Sequence, residues 1–494
     1  MKARSAVPPP AVPRAMPVAS RARWALAGLS LAILLAQFGA TVVNVGLPML
    51  MQVFNASFAA AQWVVLAYLL VITALIVSVG RLADLWGKRP LFLAGIVVFT
   101  LGSTACAAAQ GLSWLIAARG VQGLGAAIAL SLTMAFVADV VPKSHTGQAM
   151  GWLSTVQSIA TTLAPTVGGL AIAYVGWRAI FWINIPVGIA AYVLAARYLP
   201  ASTPQATKPR FDWAGTVVLA AALSAYCLAM TTGQRDGFDD TRTLGLLGGA
   251  ALALLGFVAL QGRSASPLVP LELFRSLPFN ASMGINLLVA TVMMSTLTLG
   301  PFYLSQGLHL SPQRVGGVMS IGPLIAAVIA IPSGRAVDRF GARRTLVAGL
   351  GLFTVGVVSM AIAARIDNLA SYVVAISVIS AGYAFVQTPN NSATMDEAAG
   401  GHRATVSSLL NLSRNLGLVS GAALIGAVFA AASDFSSRAT ATMHAAPAVA
   451  HGLEVSFVVD SGLSVASLLL AVLAVRSRAG AAADAGGTPA RAGH

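Results

Sequence analysis

The stretch GRLADLWGKR, residues 80–89, returns later in the chain as GRAVDRFGAR, residues 334–343. The copies share Gly80 and Gly334, Arg81 and Arg335, Asp84 and Asp338, Gly87 and Gly341, and Arg89 and Arg343 in one register. Each follows a long apolar run and precedes another, so the chain reads as two halves of like plan. A short loop between antiparallel helices needs backbone freedom, which Gly80 and Gly87 can supply, and Arg81, Lys88 and Arg89 mark the positive side of the membrane. Asp84 is a lone carboxylate among these cations. It pairs with an arginine, faces a helix N-terminus, or is simply solvated.

Outward from these copies the chain is overwhelmingly apolar. Charged residues make up 9% and the mean hydropathy is +0.81, where a soluble chain carries roughly 25% charged residues. Windows of about 19 residues pick out about fourteen runs long enough to cross a bilayer as helices. The runs are continuous and rich in Ala, Leu and Val, whereas a transmembrane barrel needs short alternating segments. An even number of spans puts both termini on one side, and the loops of that side collect most of the 30 Lys and Arg. That asymmetry predicts both termini in the cytoplasm. The net charge of +15 therefore belongs to topology, and no folded basic domain is present for a nucleic-acid partner.

The first copy of the repeat lies between spans two and three and the second between spans ten and eleven, so six spans per half leave two over. The extra pair falls at residues 213–261, between PASTPQATKPRFDW (200–213) and QGRSASPLVPLELFRSLPF (261–279). The expected division is a disordered arm over 1–23, a six-helix bundle over 24–198, a linker with two extra spans over 199–279, a second six-helix bundle over 280–476 and a disordered tail over 477–494. The first apolar run is too long for a signal peptide and is followed by further spans.

Several function classes are excluded. No G-x-x-x-x-G-K-[ST] loop occurs, since Gly87-Lys88 is followed by Arg89, and no loop is long enough for a nucleotide-binding domain. The histidines, at 145, 309, 402, 444, 451 and 494, fall in loops or tails without metal-ligand spacing. Cys106 and Cys227 lie in apolar runs, where a thiol behaves as a small hydrophobe. No catalytic residue, metal site or cofactor is expected, and the chain is not read as an enzyme.

What remains is a set of polar residues inside apolar helices. Arg119 sits some six residues inside span four, roughly 9 Å from its end. A cation that deep is costly and functional, unless it snorkels back to the interface. Gln122 follows it one turn later. Pro165 interrupts the hydrogen bonding of span five, and Gly168 and Gly169 permit close helix approach, which together make a hinge. In span thirteen Asn411, Arg414 and Asn415 fall at i, i+3 and i+4 and share a face. Span one carries Gln37, Thr41, Asn44 and Pro48 without a charge. Asp460 stands about six residues into span fourteen, read over 454–475, where it either titrates or is hydrated near the outer interface.

The repeat resembles the cytoplasmic-loop signature of the major facilitator superfamily, G-x-L-a-D-r-x-G-r-k, matched by Gly80, Leu82, Asp84, Gly87, Lys88 and Arg89. Arg119, Gln122 and Gly123 resemble the family's R-x-x-q-G element, and Pro165, Gly168 and Gly169 the end of its antiporter motif, with Ala160 and Ala164 replacing two glycines. GWRAIFWINIPVG, residues 176–188, is similar to the span-five-to-six junction of fourteen-span drug:proton antiporters of the EmrB/QacA type. Their span-one signature, L-D-x-T-i-V-N-V-A-L-P, is matched at Thr41, Asn44 and Pro48, while Gly39 takes the place of its acid.

The resemblance implies an all-α polytopic membrane protein with the major facilitator fold, two six-helix bundles plus two central extra helices. It implies Asp84 as a gate residue with Asp338 as its symmetry mate, and Gln37, Thr41, Asn44, Arg119, Gln122, Asn411, Arg414, Asn415 and Asp460 as coupling or cavity residues. The expected function is proton-driven export of lipophilic small molecules by a monomer in the bacterial cytoplasmic membrane. The deep charges look more positive than negative, which favours neutral or anionic substrates. A dedicated metabolite exporter or an uncoupled facilitator is the alternative, and a non-transporting receptor or enzyme a remote one.

Overall fold

The computed structural model describes residues 18–76, 78–141, 145–200, 212–264, 269, 271–397, 403–433 and 446–486. Its described residues include 14 helices long and apolar enough to cross a membrane. Span one is α1 (Val18–Val53), and span two is α2 (Phe58–Leu75), extended by α3 (Ser78–Trp86). Spans three to five are α4 (Lys88–Ala107), α5 (Leu112–Val140) and α6 (Thr146–Tyr174), and span six is α7 (Ala179–Trp182) with α8 (Asn184–Tyr198). The inserted pair is α9 (Trp213–Asp236) and α10 (Thr241–Arg263). The second half comprises α11 (Leu277–Phe302), α12 (Pro312–Phe340), α13 (Ala342–Ile366) and α14 (Leu369–Glu397). Span thirteen is α15 (Arg403–Ser420) and α16 (Gly426–Ala432), joined through the π-helical Gly421–Ile425, and span fourteen is α17 (Ala446–Gly486).

The repeat that marks the duplication is a joint of one residue. Gly87 has φ 87° and Gly341 φ 82°, each standing alone between two helices. Only glycine takes that conformation without strain, so both copies need it at the same register. Gly80 and Gly334 lie inside helices instead, which corrects the expectation of a ten-residue loop turned by two glycines. The reason is that one positive-φ residue suffices to redirect the chain, and the polar stretch before it continues the span as α3.

Packing repeats as the sequence does. In the first half α1 packs on α6 and α8, α2 on α5, and α4 on α5 and α8. In the second half α11 packs on span thirteen and α17, α12 on α14, and α13 on α14 and α17. These are the same pairs, span for span. Backbones touch at matching places: a Cβ on Gly125 would stand 2.7 Å from the Cα of Phe99, and one on Gly382 2.5 Å from that of Phe353. Small residues allow this approach where helices gain nothing from hydrophobic burial against each other.

The inserted pair is more than a peripheral addition. Helix α9 packs on α2 of the first bundle and on α16 of the second. Ser78 shares a 2.7 Å hydrogen bond with Thr216, and Trp63 Nε1 donates to Thr231 at 3.3 Å. Leu219 and Leu223 of α9 join a buried cluster with Leu409 and Leu410 of α15.

Three boundaries differ from the sequence reading. Helix α1 begins at Val18, so Arg21 and Arg23 are helical, their long side chains letting the helix run on into the polar zone. Helix α17 begins at Ala446, eight residues before the expected limit, and reaches Gly486 where a disordered tail was expected from 477. Its alanine-rich end favours helix. The rest of the expected arm, 1–17, and of the tail, 487–494, lies outside the described residues. Below, the end of the bundles where α1 begins and α17 ends is the near face, and the opposite end the far face.

Candidate functional site

At the far face the two bundles are sealed together. Phe58 of α2, Phe302 of α11 and Phe429 of α16 pack as a triangle, with ring centroids 5.0, 5.5 and 6.1 Å apart. Beside it Gln62 donates to the carbonyl of Ala422 in the π-helical segment and accepts from Gln234 of α9 at 3.3 Å. On the other flank α6 meets α12 backbone to backbone: a Cβ on Gly169 would overlap the Pro312 carbonyl and stand 3.1 Å from the Cα of Gly316. The hydroxyls of Thr166 and Ser320 close this seam at 2.6 Å. Gly168 lets α6 approach α1 at Val42. The close approach expected of the two glycines is therefore present, while α6 runs through Pro165 without interruption.

Behind the seal lies a cavity of about 470 Å³, displaced toward the near face. Helix α6 contributes Ser154, Gln157, Ser158 and Thr161, and α12 a wall of small residues that includes Gly322, Ala326, Ala327 and Ala330. Met293 and Met319 supply flexible apolar surface. A polar network crosses one side: Gln387 Nε2 donates to Tyr383 Oη at 2.9 Å and to Asn286 Oδ1 at 3.3 Å, and Asn286 Nδ2 donates to the Leu410 carbonyl at 2.8 Å. Ser380, 1% exposed, has a hydroxyl with no partner among the described residues. Arg414 is the only charged residue among those lining the cavity, and it makes no ion pair or hydrogen bond with any described residue.

Arg119 lies elsewhere, at the convergence of α1, α2, α4 and α5. It is fully buried, which removes the snorkelling alternative. Its Nε donates to the Val64 carbonyl at 2.9 Å, and Nη1 donates to the Gly39 carbonyl at 3.1 Å and to Gln122 Oε1. Gln122 in turn donates to Ser103 at 2.7 Å, and the guanidinium rests 4.1 Å above the Tyr68 ring. Nη2 has no acceptor. The position of the missing acid, Gly39, adjoins this group: a Cβ there would lie 3.1 Å from Phe99 Cζ and 3.5 Å from the Tyr68 hydroxyl. Backbone carbonyls and a π face have taken over where a carboxylate could stand.

Asp460 is the one fully buried carboxylate among the described residues. It lies about 21 Å along α17 from Ala446, near the middle of the Ala446–Ala474 span, and its full burial sets aside the alternative of hydration near the outer interface. The earlier start of α17 puts it there. Neither carboxylate oxygen has a hydrogen-bond partner among the described residues. Ser295 of α11 faces it but donates its own proton to the Thr291 carbonyl at 3.1 Å. The elements packed on α17 offer no cation at that depth: α11 and α16 carry no titratable residue, α13 only Arg343, Arg344 and Arg365 near its ends, and Tyr303–Gly307 only Tyr303. A charge there has nothing to compensate it.

The residues singled out from sequence thus separate into groups. Arg414 and Asn411 line the cavity, whereas Asn415, on the same face, is not among the lining residues. Arg119 and Gln122 form the buried hub in the first bundle. Gln37, Thr41 and Asn44 do not line the cavity; Thr41 donates back to the Gln37 carbonyl at 2.9 Å and Asn44 to that of Thr41 at 3.3 Å, both serving their own helix. Around the repeat, Lys88 pairs with Asp139 at 2.7 Å and Arg89 donates to the Ala196 carbonyl, all within the first bundle. Asp84 and Asp338 make no hydrogen bond or ion pair with any described residue. Arg81 is on α3, its side chain outside the described part. Sequence reasoning missed Phe58, Gln62, Asn286, Ser380 and Gln387. Gln62, Asn286 and Gln387 were visible as amides inside apolar runs, while nothing in the sequence distinguished Phe58 from a lipid-facing aromatic.

The family model of the Major Facilitator Superfamily matches residues 29–422. Multidrug resistance protein Stp of Mycobacterium tuberculosis is 32% identical over 395 residues, covering 79% of this chain and 73% of that protein. Riboflavin transporter RibZ of Clostridioides difficile is 30% identical over 403 residues, covering 81% and 87%. Among solved structures, a bacterial homolog of the human lysosomal transporter Spinster, in an inward-facing and occupied conformation, superposes with a TM-score of 0.67 at 16% identity. It covers 92% of this chain and 97% of its own, a likeness of fold.

Proposed function

The chain belongs to the major facilitator superfamily, and on that premise we propose that it exports lipophilic small molecules by alternating access, driven by the proton gradient. The observation that carries this reading is the cavity between the bundles, of drug-sized volume, sealed on one face and lined about equally by apolar or small residues and by polar ones, almost all of them uncharged. The near face, with its excess of Lys and Arg, is the cytoplasmic one, so the structure corresponds to the state that loads substrate from the cytoplasm. Parting of the Phe58–Phe302–Phe429 triangle and of the α6–α12 seam then opens the cavity outward. Asp84, without a partner among the described residues, engages the second bundle in the opposite state.

Proton coupling falls to Asp460. With Gly39 in place of the span-one acid, the first bundle has no carboxylate at Arg119, and Asp460 is the buried acid that can alternate between protonated and charged forms. It stands behind α11, whose opposite side lines the cavity through Asn286 and Met293, so protonation and substrate act on one helix. The chain works as a monomer in the bacterial cytoplasmic membrane.

A second reading, a dedicated carrier for one polar-edged metabolite, draws on the Asn286–Gln387–Tyr383 network and on the relative named for riboflavin. Inside-out vesicles containing the chain decide between them. Uptake of several unrelated neutral or anionic dyes, abolished by a protonophore, supports the export reading; saturable uptake of riboflavin alone supports the second; no flux of any compound overturns both.

A further inference from the structure

The cavity's chemistry narrows the substrate further. Its one formal charge is a cation, Arg414, with no carboxylate within the lining to neutralise it and no described residue bonded to it. A guanidinium in a chamber whose other polar lining groups are all uncharged, and with no partner among the described residues, is poised for an anion, because the charge-assisted hydrogen bonds it lacks can come from a ligand. A second group points the same way: Ser380, almost wholly buried at the cavity wall where Gly322 leaves it room, has a hydroxyl with no hydrogen-bond partner among the described residues. The adjoining wall on α12 presents Gly322, Ala326, Ala327 and Ala330, a strip of small residues between Met319 and the near end that suits a flat ring system.

Resting on the transport reading above, we infer that the cavity selects flat, singly anionic amphiphiles, the anionic group on Arg414 and the ring against the small-residue wall of α12. A permanent cation is disfavoured in the same place, since Arg414 repels it and no lining acid replaces its lost hydration.

The test uses the full chain in lipid nanodiscs and three probes of one shape: 2-naphthoate, 2-naphthamide and 2-naphthylmethylammonium, titrated calorimetrically at pH 7.5. The expected result is binding of the carboxylate about tenfold tighter than the amide, with the ammonium weakest. Arg414→Gln should abolish the carboxylate's advantage over the amide, an unchanged melting temperature showing that the variant is folded. Arg414→Lys should keep part of the advantage. Equal binding of the three probes, tighter binding of the ammonium, no binding of any, or a preference that survives Arg414→Gln overturns the inference. Flux separates it from the broader reading. Proton-driven efflux of lipophiles without charge preference sinks the inference alone, whereas selective binding of 2-naphthoate with no flux in proteoliposomes sinks the transport reading alone.

Discussion

Replacing Gly169 with alanine should push the far face open. The added Cβ collides with the Pro312 carbonyl and stands 3.1 Å from the Gly316 Cα, and both obstacles are backbone, which cannot swing aside. Carbon atoms rest at about 3.5–4.0 Å, so α6 and α12 must part by about 1 Å at the seam. Overpacking of this kind costs about 1–3 kcal/mol. Opening relieves it, so a cost of about 2 kcal/mol lowers the closed state's population relative to the open one by about 30-fold. Spin labels on Gln52→Cys and Ser311→Cys, exposed positions at the far ends of α1 and α12, report the separation of the two bundles by pulsed electron resonance in nanodiscs. The buried Cys106 and Cys227 stay out of reach of the label. Gly169→Ala should add a longer distance, while Gly151→Ala, whose Cβ meets nothing within 4 Å, should leave the distribution unchanged. An unaltered distribution in Gly169→Ala would refute the claim that this seam holds the far face shut.

Three further outcomes are expected. Gly87→Ala and Gly341→Ala, at φ 87° and 82°, should each lower stability by about 1–2 kcal/mol, while Gly80→Ala, helical with open space around it, should be neutral or slightly stabilising; melting temperatures in detergent give the comparison. Gly39→Asp should raise the melting temperature by giving Arg119 Nη2 an acceptor, a charge-assisted bond worth about 1.5–3 kcal/mol less the cost of shifting the Phe99 ring. The gain should vanish in combination with Arg119→Gln, and its persistence there would show that the two residues do not pair. Phe58→Ala removes one ring of the far-face triangle, a change of about 3–5 kcal/mol, and should let a membrane-impermeant thiol reagent reach Met293→Cys from the far side, where the parent chain protects it.

The duplicated plan was legible because two signals of different kind agreed. Apolar runs of membrane length set the number of spans, and the GRLADLWGKR repeat set which spans correspond. The repeat's own conformation was not legible, since Gly80 and Gly87 look alike in sequence and only the backbone tells a helical glycine from a joint. Arg119 and Arg414 could both be found as cations inside apolar runs. Their separation into a packed hub and a cavity group depends on which helices converge around each, a long-range fact that local spacing does not contain. For Asp460 the sequence left titration and interfacial hydration open, because hydropathy windows begin a span after its polar first turns, and α17 starts at Ala446 with His451 and Glu454 already helical. The seal was hidden for the same reason as the hub: Phe58, Phe302 and Phe429 come from three distant helices.

The proposed coupling of substrate movement to a proton on Asp460 is tested by substrate-induced dissipation of a pH gradient. Proteoliposomes holding a pH gradient, reported by an entrapped pH-sensitive dye, receive 2-naphthoate. The parent chain should dissipate the gradient on substrate addition, and Asp460→Asn should not, while still binding 2-naphthoate and exchanging it in counterflow. Dissipation by Asp460→Asn at the parental rate would contradict the account.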